Sequence, residues 1–272
     1  MPKSAVSNIA LPAYDHREEL RRLPGLGIEG LEVAPSRVWR DTWHGLKPAD
    51  VGRYRRQVET AGLRIIGLHS LFWDQPKLGL FRGPDVGART LDFLTHLSAL
   101  CRDLGGRTLI YGSGPARRRG ALSLESANAE TIDFFGQLCL RIEGHATCYC
   151  FEPLAPEESD YINSAFDSLA IVEAVNHPAL RMQLDAKALV ANGEATIDPF
   201  RAAAPHLAHF HANQPDLGVL STTGAVDHAE FGRFLREIGY GGFVSIEQRM
   251  VNEKDPLSDV ARSAAVLRRC YL

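Results

Sequence analysis

Cys148-Tyr149-Cys150-Phe151-Glu152-Pro153-Leu154-Ala155-Pro156-Glu157-Glu158-Ser159-Asp160-Tyr161-Ile162-Asn163 reads as a short apolar strand that stops on a carboxylate followed by proline. A helix pattern takes over past Tyr161 and Asn163. An acid at the carboxyl end of a buried strand is costly unless something pairs with it. Three later strand-like runs end in the same way, at Leu184-Asp185, Phe210-His211 and Ile246-Glu247. The four ends lie about one βα unit apart, a unit of roughly 30 residues.

Working outward, short apolar runs recur along the chain at residues 7–11, 27–33, 62–69, 108–111, 148–152, 181–185, 207–211 and 243–247. Between them the apolar spacing turns helical, notably over 48–61, 86–104, 123–143, 227–238 and 256–269. Pro48 suits a first helical turn and Asp227 an N-cap. Strands alternating with helices imply a parallel sheet. Eight such units in 272 residues predict an α/β fold, a closed (β/α)8 TIM barrel forming a single domain over 1–272. No repeat, low-complexity run or shift of composition marks a second domain.

Composition narrows the function. The chain is 45% hydrophobic with a net charge of −3, which leaves no electrostatic footprint for nucleic acid or an anionic membrane surface. No apolar run reaches membrane-spanning length, and the first residues lack the apolar core of a secretory signal. Five cysteines without a CxxC pair read as reduced thiols in a cytoplasmic protein.

In a closed barrel Glu152, Asp185, His211 and Glu247 project into one mouth, where such barrels carry their chemistry. Three carboxylates around one imidazole repel one another without a cation. The oxygen-rich set suits one divalent ion, Mn²⁺ or Mg²⁺ before Co²⁺, and does not resemble a structural zinc site. Residues two positions earlier face the same interior, one layer deeper. These are Cys150, Gln183, His209 and Ser245, read as groups that orient the ligands, Gln183 and His209 foremost. Cys148 and Cys150 read as core, and Arg117–Arg119 as a solvated basic loop with anion binding as the alternative. Trp39, Trp43, Phe72 and Trp73 are open to two readings, core packing or a lid over the pocket.

Taken together, Gly30-Leu31-Glu32, Gly67-Leu68-His69, Tyr111-Gly112-Ser113, Phe151-Glu152-Pro153 with Asn163 downstream, Leu184-Asp185, His209-Phe210-His211 and Gly239-Tyr240-Gly241-Gly242 before Ser245-Ile246-Glu247 resemble the xylose-isomerase-like superfamily. The similarity is to its sugar phosphate isomerase/epimerase branch, which includes ketose 3-epimerases, inosose dehydratase and hydroxypyruvate isomerase. It covers nearly the whole chain. The resemblance implies that Glu152, Asp185, His211 and Glu247 bind one metal ion, Mn first with Mg, Co or Zn as alternatives. Glu152 and Glu247 then double as acid/base groups, and His69, Glu158 and Asn163 line the substrate pocket. The implied reaction is proton abstraction beside a ketose carbonyl through a metal-bound enediolate, with a second carboxylate returning the proton.

Two positions depart from the family pattern. Ala188 stands where a histidine is usual and Leu217 where an arginine is frequent, and both family residues touch substrate. Lys187, Asn213, Gln214 and Arg249 are the candidate replacements. The alternatives are an inosose-type dehydratase and a non-catalytic sugar-binding homologue. The superfamily's DNA-repair branch needs more metal ligands and a basic face, against the charge of −3. A small sugar substrate and a homodimer or homotetramer complete the expectations.

Overall fold

A computed structural model describes residues 1–272. Eight parallel strands close on themselves in chain order, β1 (Lys3–Ser7), β2 (Gly30–Val33), β3 (Arg64–Leu68), β4 (Thr108–Tyr111), β5 (Cys148–Phe151), β6 (Leu180–Asp185), β7 (Leu207–Ala212) and β8 (Phe243–Ile246). Closure is made by β1 against β8, with Lys3 opposite Phe243 and Val6 opposite Ile246. The expected (β/α)8 barrel is therefore the observed architecture.

Helices α1 (Arg17–Arg22), α2 (Pro48–Thr60), α3 (Pro84–Leu104), α4 (Leu124–Ile142), α5 (Ala165–Val175), α6 (Ala186–Ala191), α7 (Ile197–Ala203), α8 (His228–Glu237) and α9 (Pro256–Cys270) lie between and after the strands. Local chemistry sets their starts. Ser123, Asp227 and Asp255 accept backbone N–H groups of α4, α8 and α9, and Ser164 forms a capping box with Asp167 on α5. Each helix turns an apolar stripe onto the strands. Leu94, Leu97 and Cys101 of α3, Phe135 and Leu138 of α4, and Phe231 and Leu235 of α8 are all buried. Burial of each large side chain is worth about 1.5–3 kcal/mol. All five cysteines are free. No helix is long and apolar enough to cross a membrane.

One boundary differs from expectation. The first strand was expected at residues 7–11, on the apolar Ile9 and Leu11. It runs instead over Lys3–Ser7, because Ser7 Oγ accepts the Ile9 N–H and winds Asn8–Ala10 into a 3-10 turn. The small Ala5 then sits opposite Gly30 in the β1–β2 register.

Candidate active site

Four side chains from four consecutive strands meet at the carboxyl end of the barrel. His211 Nδ1 lies 4.0 Å from Glu152 Oε1, 3.7 Å from Asp185 Oδ2 and 3.5 Å from Glu247 Oε2. Asp185 and His211 are 1% exposed and Glu152 6%. The donor atoms of Glu152, Asp185 and His211 all lie within 4.8 Å of one another. Ligands that share a small divalent cation at about 2.1 Å stand no more than about 4.2 Å apart. The three spacings to His211 fall inside that limit; Glu152, Asp185 and His211 form a group that could hold one such ion, Glu247 approaches it only through His211, and Glu32, His69 and His211 form a second group of the same spacing.

A polar lattice beneath the four holds them in place. Glu32, at the end of β2, is fully buried; its Oε2 lies 2.9 Å from His211 Nε2 and accepts the Ser245 hydroxyl at 2.8 Å. That contact occupies Nε2, and Nδ1 faces the Gln183 amide and, farther off, the three carboxylates. His209 Nε2 and Glu32 Oε1 lie 3.1 Å apart but out of line, and neither atom has a formed hydrogen bond. Gln183 Nε2 donates to Glu152 Oε1 at 2.9 Å and lies 2.8 Å from His211 Nδ1. Asn213 Nδ2 donates to both Asp185 Oδ2, at 2.6 Å, and Glu247 Oε2, at 2.8 Å. Asp185 has two duties, since its Oδ1 caps α6 through the Ala188 N–H at 2.9 Å. Cys150 is buried beside these groups without bonding to a ligand.

Without a cation the charges compensate unevenly. Burial and then the neighbouring Asp185 push Glu152 well above the usual carboxylate range. Burial works the same way on Glu247, but His211 and His69 outweigh it and hold that carboxyl at about 2. Burial disfavours the His211 imidazolium, yet Glu32 and Glu247 raise it well above an ordinary histidine. A divalent ion held there would supply positive charge in place of that proton.

Space is as important as charge. A Cβ added to Gly112, just past β4, would lie 1.6 Å from Glu152 Oε2, so only glycine lets the carboxylate occupy its position. Behind Glu152 lies Arg117, which is fully buried. Its guanidinium donates to the carbonyls of Tyr111 at 3.3 Å, Glu152 at 2.5 Å and Ile162 at 3.3 Å, and lies 5.1 Å from the Phe151 ring centroid. The solvated-loop expectation fails at this residue. Arg118 is exposed and Arg119 half-buried, but Arg117 ties the loops after β4 and β5 together.

A cavity of about 560 Å³ opens above the cluster. Glu152, His211, Glu247, His69 and Glu158 line it, whereas Asp185 sits behind them. His69 lies 3.6 Å from Glu247 Oε1 through Nδ1 and 2.5 Å from Ser7 Oγ through Nε2. Lys187 Nζ is 2.6 Å from Glu158 Oε1. Asn163 is turned away from the cavity and donates to the carbonyls of Leu154 and Ser159, which fixes the loop after β5. Arg249 is exposed and outside the cavity wall, its backbone N–H bonded to Leu217. Of the aromatic group, Trp39 packs on Tyr54, Trp43 on Phe93, and Phe72 on Phe93 and Tyr111. Trp73 alone stands out, 80% exposed at the cavity rim. The sequence reading missed Glu32 and Arg117. The signal for Glu32 was present, since it is another strand-end acid; nothing in Ala116-Arg117-Arg118-Arg119 separates the buried arginine from its exposed neighbours.

A family model described as xylose isomerase-like TIM barrel matches residues 20–270. An L-ribulose 3-epimerase of Methylomonas sp. (strain DH-1) is 25% identical over 181 residues, 64% of this chain. The match spans 60% of that relative's own length. Among solved structures, D-psicose 3-epimerase with D-tagatose from Clostridium cellulolyticum H10 aligns with a TM-score of 0.81 and 17% identity over 99% of each chain. An L-ribulose 3-epimerase aligns with a TM-score of 0.79 and 21% identity over 100% of this chain and 95% of the other. At these identities the structural likeness establishes the fold.

Proposed function

Because the chain belongs to the xylose isomerase-like TIM barrel family, we propose that it is a divalent-cation-dependent epimerase or isomerase of a keto-sugar. One observation carries the reading. Of the three carboxylates in the cluster, Glu152 and Glu247 alone reach the cavity, from the outermost of the four strands and with His211 between them. That is the placement needed for two acid/base groups serving one substrate carbon. The names of the similar proteins, 3-epimerases of ketoses, support the same reaction class.

Glu152, Asp185, His211 and Glu247 would hold the ion, with Mn²⁺ first and Mg²⁺, Co²⁺ or Zn²⁺ as alternatives. When bound it supplies Lewis acidity, which polarises the substrate carbonyl and acidifies the neighbouring C–H. One glutamate carboxylate takes that proton, and the C–H electron pair moves into an enediolate. The other glutamate delivers a proton to the same carbon from the opposite face, which inverts it. His69 Nδ1 faces Glu247 Oε1 at 3.6 Å. Asn213 keeps Asp185 and Glu247 in register, and Lys187 fixes Glu158 at the cavity wall.

The test is the metal content of the purified protein by mass spectrometry, followed by deuterium exchange into D-fructose, D-tagatose and L-ribulose. We expect about one divalent ion per chain, lost in Asp185→Ala, and exchange at the carbon beside the ketone that is lost in Glu247→Gln. Absence of metal after loading, or normal exchange in Glu247→Gln, overturns the assignment. A product lighter by one water moves it to a dehydratase.

A further inference from the structure

The cavity reaches beyond the four-residue cluster. Its volume is about 560 Å³, whereas a hexose fills roughly 200 Å³, six or seven waters' worth at about 30 Å³ each. The cluster occupies one end. The excess runs away from Lys187 and Asn213, which do not line it, and toward the loops that follow β3 and β4. Phe72, Trp73 and Pro76, from the loop after β3, line this extension together with Ser113 and Arg118 after β4 and Glu157 after β5.

The extension is built, not loose. Arg82 Nη1 donates to the carbonyl of Pro76 and Nη2 to that of Pro115, each at 2.7 Å, so one guanidinium joins the loops after β3 and β4. The Leu80 N–H reaches the Ala116 carbonyl at 2.7 Å, and a Cβ on Gly79 would lie 2.3 Å from that same oxygen. Asp74 accepts from the Thr42 N–H at 3.1 Å and its hydroxyl at 2.7 Å, which anchors the loop on the far side of Trp73. Trp73 therefore sits between buried Phe72 and anchored Asp74, on a fixed backbone, with its indole 80% exposed. An exposed aromatic ring and polar side chains lining one cavity are the chemistry that receives a sugar-like ring, whose C–H face stacks and whose hydroxyls hydrogen-bond. Charge argues against a phosphate there. Arg118 Nη2 is engaged by the Glu158 carbonyl at 3.1 Å, and Glu157 and Glu158 line the same cavity.

We propose that this extension is a second subsite, with Trp73 as its platform, and that it takes a neutral second ring attached to the keto-sugar. The substrate is then a keto-sugar glycoside and not a free monosaccharide. The inference rests on the proposed keto-sugar chemistry for the first ring, and its test separates the two.

The experiment compares kcat/KM for deuterium exchange by the metal-loaded protein on D-fructose, on D-fructose 6-phosphate, and on the two-ring ketoses lactulose, maltulose and isomaltulose. At least one two-ring ketose should exceed D-fructose by tenfold or more, and Trp73→Ala should bring that ratio toward one. Equal values for one- and two-ring ketoses, a ratio unmoved by Trp73→Ala, or a preference for the phosphate overturns the subsite. If no ketose exchanges, the proposed function has failed, and the subsite is read by binding alone, through calorimetric titration with phenyl and methyl β-D-glucopyranoside. Tenfold tighter binding of the phenyl glycoside, lost in Trp73→Ala, sustains the subsite. Equal or absent binding overturns it.

Discussion

Gly112→Ala adds a single methyl group, and the structure says what that methyl group meets. The new Cβ would stand 1.6 Å from Glu152 Oε2, and such contacts essentially never occur below 3.0 Å. The carboxylate must retreat by the difference, at least about 1.4 Å. The backbone is held, since Arg117 donates to the residue's carbonyl at 2.5 Å, so the side chain must swing toward the cavity and give up the 2.9 Å hydrogen bond from Gln183 to its other oxygen. The backbone at Gly112 lies outside the left-handed region, so alanine is not excluded by conformation. A catalytic group misplaced by about 1 Å costs on the order of 10²-fold in rate, or about 2.7 kcal/mol at 1.36 kcal/mol per tenfold. Deuterium exchange into a turned-over ketose measures the loss, with a thermal melt to show that the barrel survives and Ser113→Ala as the neighbouring control. A Gly112→Ala protein that melts normally and keeps kcat/KM within threefold of the parent refutes the placement of Glu152 and the role assigned to it.

Glu32→Gln removes the anion that fixes His211 Nε2, and cation affinity should fall about 10–100-fold; calorimetric titration of the stripped protein with Mn²⁺ reads this, and an unchanged affinity contradicts the orienting role. Arg117→Met strips donors from three carbonyls at about 1–3 kcal/mol each, partly offset by relief of a buried cation. A net loss of roughly 3 kcal/mol in urea unfolding is expected, and parental stability counts against the welding role. His228 is buried, and burial lowers it from 6.5 to about 4. The unfolded chain therefore binds a proton over that window while the folded chain does not, so stability drops as pH falls from 6.5 toward 4, by up to about 3 kcal/mol. His228→Gln should flatten this part of the stability–pH curve, and an identical slope in the variant removes His228 as its source.

The barrel was legible because strand ends repeat about every 30 residues with helical spacing between them, and periodicity of that kind depends only on which residues must be buried. Glu152, Asp185, His211 and Glu247 were legible for the same reason, as polar groups placed where a buried strand stops. The start of β1 was not, since Ile9 and Leu11 are as apolar as Ala5 and Val6, and the Ser7 hydroxyl decided the boundary. Asn163 and Asn213 show a second limit. Both amides suit a sugar hydroxyl, but the structure gives Asn163 to its own loop and Asn213 to two carboxylates, and only three-dimensional neighbours distinguish such uses. Arg117 shows a third. Burying a guanidinium among backbone carbonyls depends on how two loops fold over each other, and no local pattern encodes that.

Closure of β1 on β8 also has a consequence for how the chain is made. Lys3 pairs with Phe243 and Val6 with Ile246, so one side of the first strand waits for a partner some 240 residues away. At roughly 5–20 residues per second, that edge stays open during synthesis for roughly 10–50 s. An unpaired strand edge is a template for wrong partners. The exposed Lys3 at its start is the kind of charged residue that blunts such an edge. The first strand of the barrel is thus the one that waits longest for its second neighbour, and it carries a charge at its open end while it waits.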